Sequence, residues 1–97
     1  MTESKKTAKP FIEQKIVISN KLGLHARPAA LFVQTANRYR SKVEVRKGKE
    51  KVNGKSIMGI MTLAAGVGDS IAIRAEGEDA EEMMKALIQL IESQFGE

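Results

Sequence analysis

Four short stretches of the chain alternate apolar residues with others, and each is apolar on one side only. Lys15 to Ser19 alternates around Ile16 and Ile18, Lys42 to Arg46 around Val43 and Val45, a shorter run centres on Val52, and Ser70 to Ala75 carries Ile71 and Ile73. A period of two with one apolar face marks a strand half-buried in a sheet, and that face must be covered by other elements. The cover is present in the sequence. From Pro28 to about Tyr39, residues Ala29, Phe32, Val33, Ala36 and Tyr39 recur at helical spacing; Ile57, Ile60, Met61 and Ala64 do so after Ser56, and Met84, Leu87, Ile88, Ile91 and Phe95 near the end. Each set forms one stripe on a helix. The order strand, helix, strand, strand, helix, strand, helix predicts an α+β fold, an open-faced β-sandwich in which a four-stranded antiparallel sheet is covered on one face by three helices (βαββαβα).

Turn and cap chemistry divides these elements. Asn20-Lys21-Leu22-Gly23 supplies a first turn, Lys47-Gly48-Lys49 closes a basic-faced hairpin, and Asn53-Gly54-Lys55-Ser56 supplies another turn. Ser56 stands at an N-cap position. Gly59 weakens the helix that follows, and Gly66 and Gly68 end it. Asp79, with Glu82 three residues later, reads as a variant of the capping box at the start of the last helix, and Gly96 as its stop. Met1 to Pro10 is polar, lysine-rich and without periodicity, which predicts a short disordered tail ahead of one domain spanning residues 11–97.

Ninety-seven residues suffice for a core but not for a core plus a deep catalytic cleft, so a functional site is expected on the surface. The chain has no cysteine and one histidine, which excludes disulfides and thiolate metal sites and argues against a His-based zinc site; no metal or cofactor is expected. The absence of cysteine fits a cytoplasmic setting. No signal-peptide h-region follows the basic start, and the longest weakly polar run, Ile57 to Val67, is too short to span a bilayer, so direct membrane insertion is not expected. The formal charge of +4 is uneven. Residues 38–55 carry eight Lys or Arg against Glu44 and Glu50, whereas residues 76–97 carry seven acids against Lys85 alone. Such asymmetry orients encounters with charged partners. A nucleic-acid partner is disfavoured: the four aromatics, Phe11, Phe32, Tyr39 and Phe95, fall mostly on core or edge positions and leave no stacking platform.

The only histidine lies in Gly23-Leu24-His25-Ala26-Arg27-Pro28-Ala29-Ala30, where strand character gives way to helix character. Pro28 suits the first helical position, which places His25 at or just before a helix N-terminus. Free backbone N–H groups there, those of Ala26 and Arg27 among them, form an anion site. The Arg27 guanidinium adds a planar fork of donors matched to phosphate. An imidazole nitrogen beside such a site reads as a place to hold a phosphoryl group.

Together with Asn53-Gly54-Lys55-Ser56-Ile57-Met58-Gly59-Ile60-Met61, that octet closely resembles the HPr family, the histidine-containing phosphocarriers of the bacterial phosphoenolpyruvate-dependent sugar phosphotransferase system. The resemblance covers about residues 11–97. It implies that His25 accepts a phosphoryl group on Nδ1 from phosphorylated Enzyme I and passes it to IIA domains of sugar permeases, with Arg27 contacting the phosphoryl oxygens. It also implies a carrier rather than an enzyme, its catalysis supplied largely by its partners, and a monomer. Ser56 matches the serine phosphorylated by HPr kinase/phosphorylase, whose added charge near His25 would oppose donor docking and could recruit a transcriptional regulator. Ile57, Met58 and Met61 match an exposed apolar docking patch, with Lys55 at its rim; of these Met58 lies off the inward stripe, whereas Ile57 and Met61 also suit core positions. His25 argues against the branch of the family that has lost the histidine and acts through its serine alone. Two alternatives stay open at this point, a mainly regulatory protein acting through phospho-Ser56 and a carrier in a nitrogen-related phosphotransferase relay.

Overall fold

The computed structural model describes residues 11–97; the tail expected over residues 1–10 lies outside them. The strands are β1 (Phe11–Val17), β2 (Lys42–Lys47), β3 (Glu50–Asn53) and β4 (Ser70–Glu76), and the helices α1 (Ala26–Ala36), α2 (Ile57–Thr62) and α3 (Ala80–Glu92), followed by a 3-10 turn at Gln94–Gly96. The sheet runs β1-β4-β2-β3 with every neighbouring pair antiparallel. The predicted βαββαβα order and fold class are those observed.

The inward face of the sheet supplies Val43, Val45, Ile71, Ile73 and Ala75 to the core. Against it lie Ala29, Phe32, Val33 and Ala36 of α1, Ile60 of α2, and Met83, Met84, Leu87 and Ile91 of α3. The opposite face is charged. Glu13 of β1 reaches Arg46 at 3.0 Å and Arg74 at 3.8 Å, and the Arg74 guanidinium sits 3.8 Å above the Phe11 ring. One sheet face is therefore dry and the other wet, as the alternation required.

Several boundaries differ from expectation, each for an identifiable reason. β1 starts at Phe11 rather than Lys15, because Ile12, Gln14 and Ile16 face inward opposite Ala75, Ile73 and Ile71. Polar Gln14 on an edge strand broke the apolar alternation there. Ile18, fully buried, lies just past the strand and is held by exchange of backbone bonds with the 66–69 turn. Pro28 occupies the third helical position, not the first. Ala29 N–H is the donor that bonds back to His25 O, at 2.9 Å, so the N–H that proline lacks has no partner to lose. α1 ends at Ala36, and Tyr39 packs on the core from the following turn. α2 ends at Thr62, short of Gly66, with Ala64 in the left-handed region at φ +50°.

The capping box at Asp79 does not form. Its carboxylate makes no cap bond to α3 and instead accepts the Arg40 N–H at 2.9 Å, the Ser41 N–H at 2.9 Å and the Ser41 hydroxyl. These donors hold the Asp79 carboxyl below its usual range, the Ser41 hydroxyl contributing most. Asp79 thus pins the end of the α1–β2 loop to the start of α3. The last helix turns a different stripe inward as well: Met83 is fully buried, Ile88 only in part, and Phe95 enters the core from the terminal turn at φ +56°.

Candidate functional site

His25 is the N-cap residue of α1, extended at φ −88° and ψ −163°, exposed, and without a side-chain bond to the helix. An N-cap serine or aspartate would spend its oxygen on the helix N–H groups. Among the described residues, the imidazole leaves both its own nitrogens and those N–H groups uncommitted. No acidic residue occupies the first turn of α1, so nothing there offsets the positive end of the helix dipole. Arg27 is exposed and forms no ion pair among the described residues. Ala26 and Arg27 are the first two residues of the helix, where backbone N–H groups have no intrahelical acceptor. An exposed imidazole, two free N–H groups and a guanidinium therefore share one helix entrance.

The backbone beneath this entrance is held on both sides. After His25, its carbonyl accepts the Ala29 N–H. Before it, the buried Leu24 donates its N–H to Ala65 O at 2.8 Å. Gly23 lies at φ +71°, and a Cβ there would stand 2.8 Å from Gly66 Cα and closer still to Ala65 O. The fully buried Asn20 donates from Nδ2 to Gly23 O at 2.8 Å. Ala65 and Asn20 were not predicted as part of the site. Asn20 read as an ordinary turn residue, and a main-chain carbonyl forty-one positions from Leu24 leaves no mark in the sequence.

Ser56 is the N-cap of α2, with its hydroxyl accepting the Gly59 N–H at 3.0 Å. Gly59 has a structural reason: a Cβ would meet Val52 Cβ at 3.2 Å and Asn53 O and Ser56 Cβ at 3.3 Å. The helix trades intrinsic propensity for close approach to β3. Of the predicted inward stripe, only Ile60 is buried. Ile57, Met58 and Met61 are 42%, 72% and 39% exposed and form an apolar surface, while Ala64 is exposed beyond the helix end. Lys55 does not project freely, since its ammonium donates to Tyr39 O at 2.7 Å.

The two predicted phosphoryl positions do not share an end of the α1–α2 pair. Leu24, at the entrance to α1, bonds to Ala65 beyond the C-terminus of α2, whereas Lys55, at the entrance to α2, reaches Tyr39 beyond the C-terminus of α1. The two helices are in contact, and these two bonds set the head of each beside the tail of the other, an antiparallel arrangement. At 1.5 Å per residue, the six residues of α2 put about 9 Å of helix axis between Ser56 and the His25 end. That is about one Debye length in physiological salt. The exposed Met58 and Met61 lie on the helix between them. Among the described residues no group of three or more His, Cys, Asp or Glu is placed to hold a metal ion, and no helix is long and apolar enough to cross a membrane.

Comparison with known proteins gives a consistent result. The profile of the family described as "PTS HPr component phosphorylation site" matches residues 12–93. The HPr-like protein Crh of Halalkalibacterium halodurans is 51% identical over 84 residues, covering 87% of this chain and 100% of that protein. The phosphocarrier protein HPr of Neisseria meningitidis is 51% identical over 87 residues, covering 90% of this chain and 98% of that one. The crystal structure of HPr-C-His from Thermoanaerobacter tengcongensis superposes with a TM-score of 0.86 at 58% identity, covering 89% of this chain and 97% of that chain.

Proposed function

The chain belongs to the HPr family of the phosphotransferase system, and on that premise we propose that it carries a phosphoryl group on His25, received from phosphorylated Enzyme I and delivered to IIA domains. The observation that carries this reading is the uncommitted His25 ring at an α1 entrance whose N–H groups and Arg27 face no acidic neighbour in the first turn. A neutral imidazole nitrogen attacks the donor's phosphorus in line, and the donor's P–N bond breaks as the new P–N bond forms. The N–H groups of Ala26 and Arg27, with the Arg27 guanidinium, receive the phosphoryl oxygens. This hold is moderate, because a carrier must release what it binds. Alignment of two exposed histidines is the main requirement, and the partners supply the rest.

A regulatory role for Ser56 forms the second part of the proposal, favoured by the 51% identity to an HPr-like protein named Crh. HPr kinase/phosphorylase would modify the Ser56 hydroxyl. The separation from His25 favours an effect through the apolar surface between them rather than through direct repulsion at His25. A phosphate at the head of α2, beside Ile57 and Met58, places two negative charges on the surface that docks Enzyme I and offers a transcriptional regulator a different one.

The test is incubation with phosphoenolpyruvate and Enzyme I, read by intact mass and acid lability, with His25→Ala as the control. An acid-labile adduct absent from His25→Ala is the expected result. An adduct that persists in that variant, or none beside an active control carrier, overturns the carrier reading. Arg27→Ala is expected to impair transfer while leaving stability within about 0.5 kcal/mol, as for an exposed side chain without partners; unimpaired transfer overturns the role assigned to Arg27.

A further inference from the structure

Between α2 and β4 the chain makes a turn over residues 63–69, and the approach to His25 is tied to it at Ile18 and at Leu24. Ile18 N–H donates to Asp69 O at 2.9 Å, Gly68 N–H to Ile18 O at 2.8 Å, and Leu24 N–H to Ala65 O at 2.8 Å. Whatever shapes this turn also shapes the path of residues 18–24, and so the place of the ring that follows.

One side chain reaches across it. The ammonium of Lys47 lies 3.2 Å from Leu63 O, 3.2 Å from Ala64 O and 3.4 Å from Asp69 Oδ2. Asp69 Oδ2 in turn accepts the Gly66 N–H at 2.8 Å. An ammonium has three donors, and here its three neighbours come from both ends of one turn. Two are carbonyls at the C-terminus of α2, where a cation is favoured. The turn includes Ala64 at φ +50°, a conformation that alanine seldom adopts without outside support. Lys47 is the last residue of β2, a strand paired on both sides, and its side chain is 33% exposed. The contacts thus run from the interior of the sheet through Lys47 to the turn, and from Ala65 to Leu24.

We infer that Lys47 is a positioning residue for phosphoryl transfer, holding the 63–69 turn so that Ala65 O fixes Leu24 and thereby His25; this rests on His25 being the acceptor. A partly exposed ion pair contributes little to global stability. In-line transfer between two rings is sensitive to displacements well below an ångström. The effect of Lys47 therefore falls on rate and on local opening rather than on global unfolding.

The experiment compares Lys47→Met and Lys47→Arg with Lys49→Met, an exposed lysine of the same hairpin, as the control. Amide exchange at Leu24 is measured against Phe32, and transfer from phosphorylated Enzyme I is resolved into kcat and KM. With Lys47→Met, Leu24 exchange rises about tenfold while Phe32 changes less than about twofold, the pattern of local opening. In the same variant kcat falls roughly three- to tenfold with KM nearly unchanged, as expected of displaced reacting groups. Lys47→Arg restores most of both. Should Lys47→Met fail to fold, Asp69→Asn, which removes the carboxylate from the same turn, carries the same expectations. Leu24 exchange equal to that of Lys49→Met, or a change confined to KM, overturns the inference. If the wild-type protein takes no phosphoryl group on His25, the carrier reading fails by itself, and Leu24 exchange still decides whether Lys47 holds the turn.

Discussion

Replacing Gly23 by alanine is expected to damage this protein far more than the same change at Gly48, although both glycines have positive φ, +71° and +60°. The shared penalty is the left-handed backbone, about 1–2 kcal/mol for a residue with a Cβ. At Gly48 nothing among the described residues lies within 4 Å of the added carbon. At Gly23 the added carbon overlaps Ala65 O and stands 2.8 Å from Gly66 Cα and 3.3 Å from Ala65 C. All three are main-chain atoms and cannot swing aside, so the turn must move. That movement opposes the 2.8 Å bond from Leu24 N–H to Ala65 O, and a buried N–H left without a partner costs about 1–3 kcal/mol. Alanine returns about 0.4–1 kcal/mol by restricting the unfolded chain. The balance is roughly 1–4.6 kcal/mol for Gly23→Ala and about 0–1.6 kcal/mol for Gly48→Ala. For a domain of this size, each kcal/mol lowers Tm by about 4–8 °C. The chain has no tryptophan, so urea unfolding is followed by far-UV circular dichroism. Equal midpoints for the two variants would refute the steric reasoning, because only the contact with residues 65 and 66 separates the sites.

Ser56→Ala is expected to cost about 1 kcal/mol through loss of the bond from Gly59 N–H, whereas Ser56→Asp keeps a cap acceptor and stays within about 0.5 kcal/mol of wild type. Urea midpoints check both, and slower phosphorylation of His25 in Ser56→Asp than in wild type checks the regulatory proposal. Asp79 predicts a pH dependence. Its folded-state pKa is depressed, first by the Ser41 hydroxyl, below the ordinary 3.8. The stabilisation is therefore fully present above that value and is lost as pH falls through the lower folded-state pKa. Asp79→Asn should flatten the acid limb of the stability profile below pH 3.8, and parallel limbs for variant and wild type would contradict the assignment.

The site was legible in the sequence to the extent that its chemistry is local. His25, Arg27 and the free N–H groups of Ala26 and Arg27 belong to one octet, and a helix must begin there because Ala29, Phe32, Val33 and Ala36 need one buried face. Ser56 as an N-cap was readable for the same reason, since donor and acceptor stand three residues apart. Asp79 shows where local reading stops. Asp79 and Glu82 have the spacing of a capping box, yet the Arg40 and Ser41 N–H groups, brought close by the pairing of Lys42 with Glu76, compete for the carboxylate and win.

What the sequence determined by itself is the order of elements and, for the strands and α1, the face each one buries, because periodicity is a property of neighbours along the chain. The antiparallel packing of α1 against α2, the distance of Ser56 from His25, the exposure of Ile57 and Met61 and the hold of Lys47 on the 63–69 turn were decided by tertiary structure. A helix six residues long has more apolar side chains than its one contact stripe can bury, and only the position of its neighbours selects Ile60. Main-chain acceptors such as Ala65 O are identical at every residue, so which of them holds the approach to His25 is written in the fold and not in the side chain.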